Sequence, residues 1–196
     1  MILPCLYCMN NIANAFDAIA LTLAANNREI VGRTTLQKLI YFETVTIPKK
    51  IKLEDPFFAY FYGPFNRDVA KSLEDMVFFD ILSEHRIRDN HGIYMYKVTP
   101  KGDPTIDRVE SEFKQTLKKI KKLVDICDKY CKLNPNSLSF AAKVHYMFYS
   151  QKPKIKPMSE DALVKLGKSF DWRISKSDIK NGSKLLEQLK LASIQR

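Results

Sequence analysis

One apolar stripe constrains this chain more than any other feature. Ile106, Val109, Phe113, Leu117, Ile120, Val124, Cys127 and Cys131 follow one another at spacings of 3, 4, 4, 3, 4, 3 and 4. A period close to 3.5 sets all eight side chains on one side of a helix, which then needs a second helix to cover it. Asp103 as N-cap and Pro104 at the first helical position supply the start. The spacing predicts a long amphipathic connecting helix within residues 101–133, and a homodimer through that helix is one way to cover the stripe. With 196 residues and 45% apolar content, the chain has material for a core around it.

Other elements arrange themselves about that helix. Residues 10–27 read as a first helix, with Ile12, Phe16, Ile19, Ala20 and Leu23 on its buried face. In "GRTTLQKLIYF", Thr34 is a candidate N-cap and Gln37 completes a capping box, with Leu36, Leu39, Ile40 and Phe42 facing inward. On that reading the Gln37 amide closes the cap near Thr34, and Lys38 faces solvent or a carboxylate. "DPFFAYFYGPF" reads as a short buried strand stopped by Gly63-Pro64. Asn66 caps a third helix with Val69, Leu73, Met76 or Val77 and Leu82 inward. "HRIRDNHGIYMYKV" alternates on both sides of a turn at Asp89 to Gly92 and reads as a hairpin. Three helices and a hairpin make a winged-helix-like unit over 10–100. "SLSFAAKVHYMFY" is apolar nearly all round and predicts a central helix in a C-terminal helical unit over 134–196. "QKPKIKP" is a loop, and two further helices are capped by Ser159 and Ser175. The fold class is mainly α, of α+β type.

Charge narrows the function. The net charge is +10; residues 1–98 hold 11 Lys/Arg and 11 Asp/Glu, and residues 99–196 hold 21 and 11. A nucleic-acid reading therefore rests on the second half. The third helix is a poor reader, because Arg67 and Lys71 stand among Asp68, Glu74, Asp75 and Asp80. The candidate nucleic-acid contacts are Arg86, Arg88 and Lys97 on the wing and Lys118, Lys119, Lys121 and Lys122 on the long helix. No run approaches the roughly 18 apolar residues of a membrane span. The opening "MILPCLYCMNN" lacks a basic segment and a small-residue cleavage site, so a cytoplasmic protein with a short leading extension is expected.

Catalysis is hard to assemble from these residues. The chain has three histidines; His85 and His91 fall on or beside the hairpin, and His145 lies inside the apolar helix. No phosphate loop, nucleophile elbow or H-E-x-x-H motif occurs. The carboxylate pairs Glu54-Asp55, Glu74-Asp75 and Glu160-Asp161 are adjacent in sequence, and neighbours on a helix diverge by about 100°. Cys5/Cys8 and Cys127/Cys131 have spacings that a zinc site can use. The first pair belongs to the extension and the second to an apolar stripe, where a thiol acts as a small hydrophobe. No metal and no cofactor are expected, and the chain does not read as an enzyme. Tyr60, Tyr62, Phe65, Tyr94, Tyr96, Tyr146 and Tyr149 exceed what a simple core requires, and tyrosine is a common interface anchor.

Two blocks, Leu36-Gln37-Lys38-Leu39-Ile40-Tyr41-Phe42 and Tyr62-Gly63-Pro64-Phe65, resemble the Panacea (SocA-like) antitoxin domain. That family shows L-Q-K-L-x-Y-F followed by a Y-G-P turn into a helix. "GRTTLQKL", "LSFAAKVHYM" and "FDWRISKSDIKNGSKLLEQLKL" look closer still to the YwgA-like proteins of archaea and bacteria. The resemblance implies a non-enzymatic partner-binding protein, an antitoxin that neutralises a toxin protein by direct binding being one form. The alternative is a winged-helix DNA-binding transcriptional regulator.

Overall fold

The computed structural model describes residues 12–87, 92–150 and 158–191. The first helix, α1 (Ala15–Ala25), is shorter than its apolar pattern suggests. Asn14 and Asp17 form a reciprocal capping box that fixes the start, so Ile12 precedes the helix and stands 49% exposed. A three-residue strand, β1 (Glu29–Val31), follows; it is too short to show a period of its own.

Gly32 then turns the chain at φ +90 into α2 (Arg33–Thr46). Thr34 is therefore inside the helix rather than its cap, and no side chain closes that end. The aromatic segment is a hairpin, not one buried strand. β2 (Phe58–Tyr60) pairs antiparallel with β3 (Gly63–Phe65), Tyr60 opposite Gly63. Gly63 and Pro64 lie within the returning strand, which proline tolerates because both strands of a two-stranded ribbon are edges.

Asn66 caps α3 (Arg67–Phe78) by accepting from the Val69 N–H, and Val69, Leu73 and Met76 are buried as expected. Leu82, expected at the end of that stripe, opens β4 (Leu82–Arg86) instead and is buried there. β5 (Tyr94–Val98) pairs with both β4 and β1, all antiparallel. The turn at 88–91, with Arg88 and His91, lies outside the described residues.

The expected long helix is two helices. α4 (Asp103–Glu112) and α5 (Lys114–Cys131) meet at Phe113, which leaves helical geometry at φ −111, ψ 30. Asp103 is not the cap; Gly102 is, and Asp103 sits in the first turn, 2.5 Å from Arg28. The bend has a purpose in packing. α1 lies against both α4 and α5, and Ile106, Val109, Phe113, Ile120, Val124 and Cys127 are all buried. The partner that the stripe demanded is α1 of the same chain.

α6 (Pro135–Ser150) packs on α2, β3 and α8, which explains its apolar circumference. α7 (Glu160–Lys168) and α8 (Lys176–Gln188) are capped by Ser159 and Ser175 as the sequence suggested. One buried apolar cluster runs from Ala13 in the first segment to Leu189 in the last. No helix among the described residues is long and apolar enough to cross a membrane.

Candidate functional site

The β2–β3 hairpin has strands of three residues, too short to hold together unaided. Side chains from three other parts of the fold hold it. From α2, the Gln37 amide donates to the Asn66 carbonyl at 2.9 Å and accepts from the Asn66 N–H at 3.1 Å. Beside it, Lys38 Nζ donates to the Pro64 carbonyl at 2.9 Å. From the α7–α8 connection, the Trp172 indole N–H donates to the Tyr60 carbonyl at 2.6 Å. From α6, Lys143 lies against Gly63: a Cβ there would sit 3.1 Å from Lys143 Cγ and 3.4 Å from the Ser139 carbonyl. With φ at +97 as well, that position admits glycine alone.

These contacts correct both polar expectations. Gln37 does not close a cap at Thr34; it clamps the start of α3. Lys38 reaches neither solvent nor a carboxylate and is 2% exposed. Its amine is pushed down to about 7 by burial, with the nearby Lys143 charge adding to the effect. Burial lowers Lys143 too, partly offset by Asp178. The Lys143 ammonium stands 5.5 Å from the Trp172 ring and 5.9 Å from Phe140, contacts that favour a cation without an anion.

Held in this way, the hairpin pushes aromatic rings outward. Tyr60, Phe61 and Tyr62 at its tip are 48%, 72% and 63% exposed. Tyr60 touches Phe61 and Phe65, with centroids 4.7 and 5.2 Å apart. Arg67 covers Phe58 at 5.1 Å. Phe65 is half-buried and Leu36 fully buried, so the residues of the two sequence blocks divide into scaffold (Leu36, Gln37, Lys38, Gly63, Pro64) and presented surface (Tyr62). Lys143 and Trp172 belong to the same constellation. Neither was singled out in the sequence, because their roles depend on contacts with a segment 80 residues away for Lys143 and 112 for Trp172.

Other candidates lie apart. Arg86 is exposed at the end of β4, and Lys97 is exposed on β5, 4.0 Å from Glu29. Lys118, Lys119, Lys121 and Lys122 are exposed on α5. His145 accepts or donates at Nδ1 against the Tyr41 hydroxyl at 2.7 Å, and burial pushes its pKa down to about 4, so the ring is neutral. The carboxyl of Glu43, fully enclosed, is pushed up to about 8 by burial; Thr22 bonds one oxygen at 2.8 Å and the other has no partner among the described residues. Cys131 Sγ donates to the Cys127 carbonyl at 3.0 Å. Cys5 and Cys8 lie outside the described residues, among which no group of three or more His, Cys, Asp or Glu could hold a metal ion. Neither a protein-family model nor a curated protein sequence matches the chain.

Proposed function

We propose that this chain is a non-enzymatic, cytoplasmic binding protein of the Panacea or YwgA type that grips a partner protein with the tip of its aromatic hairpin. The carrying observation is three adjacent exposed rings on a hairpin anchored by buried donors. Adjacent exposed aromatics are costly to leave in water and dominate binding when a partner covers them. Anchoring matters equally, since a preordered tip loses little conformational entropy on binding. The order α1-β1-α2-β2-β3-α3-β4-β5, with the β2–β3 hairpin inserted before α3, supports a winged-helix-like frame for the first hundred residues. Free thiols at Cys127 and Cys131 suit a reducing compartment.

Neutralisation of a toxin protein is the specific form tested first. Co-expression with the product of the adjacent gene should restore growth with the wild-type chain and fail with Phe61→Ala plus Tyr62→Ala. An adjacent product that is harmless by itself removes the antitoxin form. Rescue undiminished by the double substitution removes the tip as the gripping element.

A further inference from the structure

Several cations of this molecule are held by acids. Arg28 meets Asp103, Asp107 and Glu110 at 2.5, 2.5 and 3.0 Å. Arg33 meets Glu84 at 2.9 Å, and Arg108 meets Glu112 at 3.0 Å. The outer side of α3 exposes Glu74 and Asp75. On α5 the pattern reverses. Lys114, Lys118, Lys119, Lys121, Lys122 and Lys129 are exposed, and none makes an ion pair with a described residue. No carboxylate interrupts residues 114–124, and Asp125 and Asp128 are the acids further along that face.

The lysine face leads into a crevice. Lys132, which ends α5 in left-handed geometry at φ 53, lines an open crevice of about 890 Å3 between the start of α2, the start of β5 and the α5–α6 corner. Arg33, Thr34, Tyr94, Asn134 and Asn136 face it, and none of the described residues that line it is Asp or Glu. Arg33 already holds Glu84, so Lys132 is its unpaired cation among the described residues.

We infer that the lysine face of α5, continuing into this crevice, is a docking surface for the phosphodiester backbone of a nucleic acid. At 1.5 Å per residue, Lys114 to Lys132 spans about 27 Å, close to the axial rise of about eight base pairs. Lysines act as point charges and lack the planar fork that reads guanine, so the surface holds the backbone and does not select sequence. A membrane fits poorly, because an interfacial helix needs an apolar face to insert and that of α5 is covered by α1. A protein partner fits poorly as well, since lysine is depleted in protein interfaces. The inference is independent of the β2–β3 hairpin and moves nucleic-acid contact away from α3 and from Arg86 and Lys97.

Fluorescence anisotropy with the full chain and labelled DNA of about twenty nucleotides, single-stranded and duplex, tests this. With four phosphates engaged, affinity should fall on the order of a hundredfold between roughly 50 and 200 mM salt. Lys118→Glu with Lys122→Glu should weaken binding about tenfold or more at the lower salt and flatten the salt dependence. Lys132→Asn, which keeps a residue tolerant of left-handed geometry, should cost less. Lys165→Glu with Lys184→Glu, on α7 and α8, should leave binding unchanged, as should Phe61→Ala. These side chains are exposed, so each variant should keep the wild-type circular dichroism; Lys118→Ala with Lys122→Ala repeats the test if charge reversal disturbs the helix. No binding at low salt, equal losses from the α7–α8 pair, or binding only to phosphatidylserine vesicles overturns the inference.

Discussion

The molecule contains two antiparallel hairpins built on opposite plans. β4–β5 has five-residue strands, a third strand from β1, and its own buried side chains in Leu82, Tyr96 and Val98. β2–β3 has three-residue strands, no third strand among the described residues, and its largest rings in solvent. The first is held by its own core-facing residues. The second is held from outside, by Gln37, Lys38, Lys143 and Trp172. A structural element that depends on buried polar side chains from three other regions, and then exposes its apolar tip, is organised for presentation. Stability alone would have turned those rings inward.

The largest test of this contrast is Gly63→Ala. A methyl group there meets Lys143 and forces φ +97 on a residue that disfavours it. Strain and overpacking together should cost about 3 kcal/mol. For a chain of this size, that lowers the melting temperature by roughly 6–12 °C in a thermal scan. A variant that melts like the wild type would show that the hairpin is not pinned against α6.

Lys38→Met should act through pH. Burial holds the Lys38 pKa at about 7, below its ordinary 10.5. Between those values the unfolded amine carries a proton that the folded one has released, so this group makes stability rise with pH. The charged amine penalises the fold fully below about 7, and that penalty disappears towards 10.5. Methionine carries no such penalty. Relative to the wild type, Lys38→Met should therefore look most stable near pH 6 and lose that advantage near pH 10 in denaturant titrations. A stability difference that does not vary with pH would place the wild-type amine in solvent.

The β4–β5 hairpin offers the smallest effect. Tyr96→Phe removes a hydroxyl that donates to Glu84 and accepts from Arg33, both at 2.5 Å. The sheet keeps its core, and the loss should be about 1 kcal/mol, visible as a small shift in denaturant midpoint. A loss as large as that of Gly63→Ala would make the two hairpins equally dependent on distant donors.

What the sequence revealed follows the range of the forces involved. Asn66, Ser159 and Ser175 were legible as caps because each bonds an N–H three residues away. The stripe of α4 and α5 was legible by period, but a continuous period does not report the break at Phe113. β1 escaped notice because three residues carry no pattern, and its pairing with β5 spans more than sixty residues. Lys38 was misplaced for a related reason. A lysine inside an apolar block reads as outward-facing unless the acceptor is known, and the Pro64 carbonyl lies 26 residues further on. The aromatic segment showed an excess of rings; only the fold says which of them stay in water.

Partner capture by the hairpin tip is the most direct test of the account. The adjacent gene product should be co-purified with the wild-type chain and with Phe61→Ala plus Tyr62→Ala, and its affinity for each measured by calorimetry. Loss of two exposed anchor rings should weaken binding by about tenfold or more while the melting temperature stays unchanged. Equal affinity for both chains would contradict the claim that the tip is what grips.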